Sequence, residues 1–343
     1  MDNPIFEKKN VLVTGGAGFI GSHLCERLLK EAKVICLDNF SNSRPENINH
    51  LLQYPDFEFI NFDVNKPIDL EQFDELDKFK VKFQGIQEVY HLACPTSPKE
   101  FEKLKIQSLL TNSVGVINTL ELAVKYHAKY LLSSSSVVYG DNLDSRMALK
   151  ETDQGTVNQL SQRACYDEGK RFAEAAVATY AQVHGLETKI ARMFTTYGPH
   201  TRLFESQLIP DFIINALEGK DLVIYGDENF STSLCYVTDM VDGLIRFMST
   251  GPETSVVNLG GDRIIKYTDV AKMIIEMTES SSTLKFDKPL VFLSKKGAPD
   301  LTYAKEALGW FPLVRLEDGL RKTIDYVISH KEELVFDHKG RTM

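Results

Sequence analysis

The sequence predicts an α/β fold, a doubly wound parallel sheet with a smaller α/β domain beside it, on three observations. Short apolar, β-branched runs alternate with segments of helical period through the first 193 residues. Such alternation implies crossover connections and a parallel sheet covered on both faces. The first run also leads at once into a glycine cluster followed by a helix pattern.

Each element follows from its residues. Asn10–Thr14 is the first strand, and Phe19, Ile20, Leu24, Leu28 and Leu29 fall at helical spacing between Phe19 and Ala32. Lys33–Leu37 is a second buried strand ending at Asp38, and Phe57–Phe62 a third ending at Asp63. The charged stretch Asn65–Gln84 reads as a surface helix or loop, its acidic run Asp69–Lys80 as a solvated face. Val89–Ala93 is a fourth strand, Ile106–Tyr126 a long helix, and Lys129–Leu132 a fifth strand entering the run Ser133–Ser136. Tyr166–His184 is helical and Lys189–Met193 is a sixth strand. Beyond about residue 194 the elements shorten. Residues 1–193 are therefore read as the main domain, with a return segment near 232–250, and 194–343 as mainly the second domain.

Composition excludes several classes of function. At 43% hydrophobic and 25% charged, with 21 Gly and 12 Pro, the chain is neither disordered nor collagen-like. Its 39 basic and 48 acidic residues leave a net charge of −9, which argues against a nucleic-acid partner. Five dispersed cysteines without a CxxC pair suit reduced thiols, and eight histidines show no metal-ligand spacing, so no metal is expected. Met1-Asp2-Asn3-Pro4 does not read as a signal peptide, and no apolar run is long enough to span a bilayer. The expectation is a cytoplasmic protein without a membrane partner.

Gly16-x-Gly18-x-x-Gly21, between a strand and a helix, meets the demands of a dinucleotide: a tight turn, close backbone approach to a pyrophosphate, and a helix N-terminus facing it. That makes the first half Rossmann-type. Asp38, at the end of the second strand, would accept bonds from ribose hydroxyls and repel a 2′-phosphate, so NAD is favoured over NADP. Asp63 is either an adenine contact or a turn residue.

Of 13 tyrosines, Tyr166 alone has a lysine four residues on. Tyr166 and Lys170 therefore share a helix face, where the ammonium together with a positive nicotinamide ring would lower the phenol's pKa and make it a base toward a substrate hydroxyl. The serine run, at the carboxyl end of a strand, would supply a hydroxyl partner. The competing readings are a surface Tyr–Lys pair and a plain serine turn. His23 is read as packed or at the surface, and Asn112 as bonding strand-end backbone near the site.

These features resemble the extended short-chain dehydrogenase/reductase family that modifies nucleotide sugars, and among its members the UDP-glucuronate decarboxylases. The resemblance rests on Thr14 through Leu24, Leu37-Asp38-Asn39-Phe40, His91-Leu92-Ala93-Cys94-Pro95 and, most specifically, Arg163 through Arg171. Tyr139-Gly140, Tyr197-Gly198-Pro199, Tyr236-Val237-Thr238-Asp239 and Leu308-Gly309-Trp310 extend it over residues 10 to 320. It implies Tyr166 as base, Lys170 as its pKa partner and ribose ligand, and Ser135 as hydroxyl partner. It implies Gly15, Gly18, Gly21, Asp38, Arg44 and Asp63 around NAD, with Phe19, Ile20, Asn39, Val64, Leu92 and Ala93 lining the same site. Ser136, Thr195, Arg202, Tyr225, Thr232 and Arg263 are implied on the side of a nucleotide-diphosphate sugar, with UDP favoured. It also implies a homodimer through a four-helix interface built on the two long helices.

The sequence departs from the decarboxylases on the substrate side. Val137 stands where they carry a catalytic Glu, Thr232 where they carry an Arg, and Thr195 where they carry an Asn. A threonine cannot replace the bidentate fork of an arginine on phosphate. Arg202, Arg263, Lys295 and Lys296 are candidate substitutes. Oxidation at C4 needs none of the lost groups. Three functions follow as expectations: an epimerase-type or 4-keto-forming enzyme oxidising the sugar at C4, a UDP-glucuronate decarboxylase making UDP-xylose, or a non-catalytic NAD-binding protein.

Overall fold

The structure, a computed structural model, describes residues 8–96, 101–140, 148–205, 207–288 and 297–335. Lys295 and Lys296 lie outside the described residues. Seven strands form the central sheet: β1 (Asn10–Thr14), β2 (Lys33–Asp38), β3 (Phe57–Asn61), β4 (Glu88–His91), β5 (Lys129–Ser135), β6 (Thr188–Met193) and β7 (Val256–Leu259). Their order is β7-β6-β5-β4-β1-β2-β3, and every pairing is parallel. The direction of travel reverses between β1 and β4, so the carboxyl ends of these two strands flank the crevice where open α/β sheets bind ligands.

Successive strand residues face opposite layers, and the core divides accordingly. Val11, Val13, Val34, Cys36 and Leu131 join one apolar cluster with Leu24 and Leu28 of helix α1 (Phe19–Leu28) and Met240 and Leu244 of helix α5 (Val237–Met248). Leu12, Ile35, Leu37, Tyr130 and Leu132 join the other, with Leu120 and Ala123 of helix α3 (Val116–Tyr126) and Ala173 and Val177 of helix α4 (Ala164–His184). The chain returns to the main sheet through α5 and β7. Helices Leu208–Leu217 and Tyr267–Met277 pack with α6 (Leu316–Ser329), next to the paired strands Leu222–Tyr225 and Leu284–Asp287.

Two elements differ from the sequence expectation. The long helix begins at Phe101 as α2 (Phe101–Leu110) and passes through a π turn, Thr111–Gly115, before α3. Gly115 lets the turn close on Val64 and Asn65, where a Cβ would lie 3.0 Å from the valine methyl. The stretch 65–84 is not a solvated face throughout. It forms short helical turns that bury Leu70, Leu76, Phe79 and Val81 in the second cluster. Asn10 fixes it to β1 by donating to Phe79 O at 2.9 Å and Gly85 O at 2.7 Å. Among the described residues, no helix is long and apolar enough to cross a membrane.

Candidate active site

At the crevice, β1 turns into α1 through the glycine cluster. Gly15 adopts φ +70°, and a Cβ there would stand 2.7 Å from Ala93 N; a Cβ on Gly21 would collide with Gly15 O. These glycines let the helix start lie against the sheet. No side chain caps α1 and its first turn carries no acid, so its free N–H groups remain available to an anion. Asp38 holds the loop together: its Oδ2 accepts from Ala17 N at 3.1 Å and its Oδ1 from Phe40 N at 2.9 Å and Ser43 Oγ at 2.6 Å. Burial pushes its carboxyl above the ordinary value, against these bonds. The residues present fit a dinucleotide: bare helix N–H groups for phosphates, and a strand-end carboxylate for ribose hydroxyls.

One elongated cavity runs from Asp38 to Tyr166. Gly15, Gly18, Phe19, Ile20, Gly21, Asn39, Asp63, Val64, Leu92, Ala93 and Lys170 all line it. Asp63 also closes a turn by accepting from Asn65 N at 3.0 Å. Arg44 is placed elsewhere. Pro45 opens a 3₁₀ turn that leaves Arg44 extended, and its side chain, 1% exposed, pairs with Glu333 at 3.0 Å and Glu46 at 3.5 Å.

At the other end of the cavity, α4 presents Tyr166 and Lys170 to the end of β5. The Ser135 hydroxyl lies near enough to the Tyr166 phenol to favour its ionised form, and Lys170 Nζ donates to Ser133 O at 2.8 Å, 5.9 Å from the Tyr166 ring centre. Burial, and then the nearby Cys94, raise the phenol well above its ordinary value; the Ser135 hydroxyl opposes them. So the ammonium does not by itself give an acidic phenol. Gly169 lets α4 approach Asn112, whose Nδ2 donates to Cys94 Sγ at 3.1 Å and Ser108 O at 2.9 Å rather than to strand-end backbone.

The expected substrate-side residues divide. Thr195 and Thr232 meet, their hydroxyls 3.1 Å apart. Ser136 follows Ser135 with its Oγ buried and without a hydrogen-bond partner. Arg202 lines the cavity by the loop after β2, donating to Asn42 Oδ1 at 2.5 Å and pairing with Glu205 at 3.0 Å. Tyr225 sits in an outlying strand beside Asp287, and Arg263 is exposed and pairs with Asp262 at 3.7 Å. Short-range pattern could not show this, because chain crossings decide it.

His200 lines the cavity and gathers His23, His50 and His330 around it. His23 stacks on it at 4.4 Å, Ser22 Oγ lies 2.9 Å from its Nδ1, and Tyr326 joins it to His330. Burial, then the neighbouring histidines and Arg44, push His200 down to about 3, and burial lowers His23. Both are neutral when folded, so stability is fully present above the free-histidine value near 6.5 and falls as the pH drops toward 3. His200 contributes a slope of up to ~1.4 kcal/mol per pH unit in that window, and His23 acts in the same direction. Thermal melts should show Tm falling from pH 7.5 to 5, and falling less in His200→Asn, which tolerates the left-handed φ of +67°. Equal slopes would remove His200 from the explanation. Among the described residues, no group of three or more His, Cys, Asp or Glu is placed to hold a metal.

The family model described as the NAD dependent epimerase/dehydratase family matches residues 11–260. UDP-glucuronic acid decarboxylase 1 of Xenopus tropicalis is 37% identical over 321 residues, 93% of this chain and 72% of that protein. Among solved structures, UDP-glucose 4-epimerase of Thermotoga maritima with UDP-glucose is 28% identical, with TM-score 0.82 over 94% of this chain and 99% of that one. UDP-glucuronic acid 4-epimerase of Bacillus cereus, in complex with UDP-glucuronic acid and NAD, is 29% identical, with TM-score 0.81 over 93% and 99%.

Proposed function

Since the chain belongs to the NAD dependent epimerase/dehydratase family, we propose that it binds NAD and oxidises a nucleotide sugar, UDP-linked by preference, at C4, releasing an epimer or 4-keto sugar without loss of carbon dioxide. The observation that carries this is the meeting of Tyr166, Ser135 and Lys170 at one end of a cavity whose other end is the glycine loop and Asp38. Bound NAD supplies the hydride acceptor and a positive charge beside the phenol. Ser135 orients the C4 hydroxyl, and Tyr166 Oη takes its proton. Lys170 steadies the phenolate that accepts it, and the phenol so formed returns the proton when the ketone is reduced.

Val137 supports a course without decarboxylation: 5% exposed, it offers no acceptor where the decarboxylases carry an acid. UDP-glucuronate decarboxylation is the second reading, favoured by the similarity to UDP-glucuronic acid decarboxylase 1. A panel of UDP-, dTDP-, GDP- and CDP-sugars, read by proton NMR and carbon dioxide release, separates the two. An epimer or ketone without carbon dioxide is expected. Carbon dioxide from UDP-glucuronate would install the second reading, and a chain that binds NAD yet turns over no sugar would be non-catalytic.

The assembly proposed is a homodimer. Ile106 and Leu109 on α2, Val114 in the π turn and Phe172 on α4 are exposed apolar residues that a second copy would cover in a four-helix interface. Five free thiols suit a reducing cytoplasm.

A further inference from the structure

The serine run does more than supply one hydroxyl. Tyr166, Lys170 and Glu174 stand at successive four-residue steps on α4 and form one stripe of its inner face. Each reaches a different member of the run at the end of β5. The phenol meets the Ser135 hydroxyl, the ammonium donates to Ser133 O at 2.8 Å, and Glu174 Oε1 accepts from Ser134 Oγ at 2.5 Å. Glu174 alone has no place in the chemistry above.

Its carboxylate is gripped from behind by Arg192 on β6. Nε donates to Oε1 at 3.0 Å and Nη2 to Oε2 at 2.8 Å, with both side chains 14% exposed. Arg192 Nη1 donates to the Tyr139 hydroxyl at 3.0 Å and Glu151 O at 2.8 Å, and Tyr139 donates to Asn258 Oδ1 on β7 at 2.7 Å. A chain of polar bonds thus ties α4 to β5, β6 and β7 directly behind the phenol. A largely buried ion pair of this kind is a poor source of net stability, but a bidentate fork is strongly directional. Apolar contacts such as Ala173 and Val177 hold a helix onto a sheet yet resist sliding or rotation only weakly.

We propose that the Glu174–Arg192 pair is a positioning device for hydride transfer: it sets the height and rotation of α4 against β5, so that the Tyr166 hydroxyl and the Lys170 ammonium meet the C4 hydroxyl together. Glu174 and Arg192 act through Tyr166 and Lys170 and touch neither sugar nor cofactor. The inference rests on the C4-oxidation reading. Misplacing reacting groups by ~1 Å costs on the order of 100-fold in rate.

Glu174→Gln keeps the shape and an acceptor for Ser134 but removes the charge and the second acceptor for Arg192. In this variant kcat for C4 oxidation is expected to fall about 30- to 100-fold. KM for the sugar and the NAD dissociation constant, measured by calorimetry, should stay within about twofold. The acid limb of the kcat profile should move to higher pH, because the phenol has lost its alignment with Lys170. Ser134→Ala, which leaves the ion pair intact and serves if Glu174→Gln does not fold, should show the same pattern with a fall of about 3- to 10-fold. A folded variant with wild-type kcat and an unmoved acid limb, or a loss confined to melting temperature or KM, overturns the inference. A wild-type enzyme that reduces NAD with none of the sugars overturns the C4-oxidation reading instead.

Discussion

Tyr166→Phe is expected to lower kcat by about 10³- to 10⁴-fold while leaving NAD affinity within about twofold. The substitution keeps the ring beside Lys170 and deletes only the phenol oxygen. Burial holds this phenol above its ordinary value, so on the proposed reading the charges of Lys170 and the oxidised cofactor would together draw its proton off. An ultraviolet difference titration of wild type against Tyr166→Phe checks this. The missing phenol should ionise above pH 10 without cofactor, and at lower pH with oxidised NAD bound. No displacement on binding NAD would mean that the cofactor does not activate this phenol.

Lys170→Met is expected to cost about 10²- to 10³-fold in kcat. Lys170 is 3% exposed and its ammonium is fixed on Ser133 O, so the unbranched methionine fills much of the same volume without the charge. Loss of a nearby positive charge raises the phenol further, so the acid limb of kcat should shift to higher pH. Profiles taken side by side from pH 6 to 10 test the direction. A lowered kcat with an unmoved limb would assign Lys170 to holding the cofactor rather than tuning the base.

What could be read from sequence was local. The glycine cluster, the strand-end Asp38 and the Tyr166–Lys170 step each encode a constraint spanning a few residues: a positive φ, a close approach, one helix face. The serine run stood out because ligands in such sheets gather at strand ends, while Ser135 in particular was implied by the family resemblance. The four-step periodicity that revealed Lys170 continues to Glu174, so half of the positioning pair was within reach; Arg192 was not, because a parallel crossover brings it there. The same holds for Arg44, drawn to Glu333 from 289 residues away, and for the four histidines that converge on α1. The charged stretch after β3 misled because its few apolar residues are spaced for 3₁₀ turns rather than for one amphipathic helix. Tyr225 and Arg263 show that composition alone does not locate a sugar subsite.

The most direct measurement is rapid mixing of the NAD-loaded protein with a UDP-sugar carrying deuterium at C4, followed at 340 nm. A rise slowed several-fold by the label, and abolished in Tyr166→Phe, is expected if the phenol draws the proton from the C4 hydroxyl as hydride leaves the same carbon. A rise indifferent to deuterium at C4, or undiminished without the phenol, would contradict it.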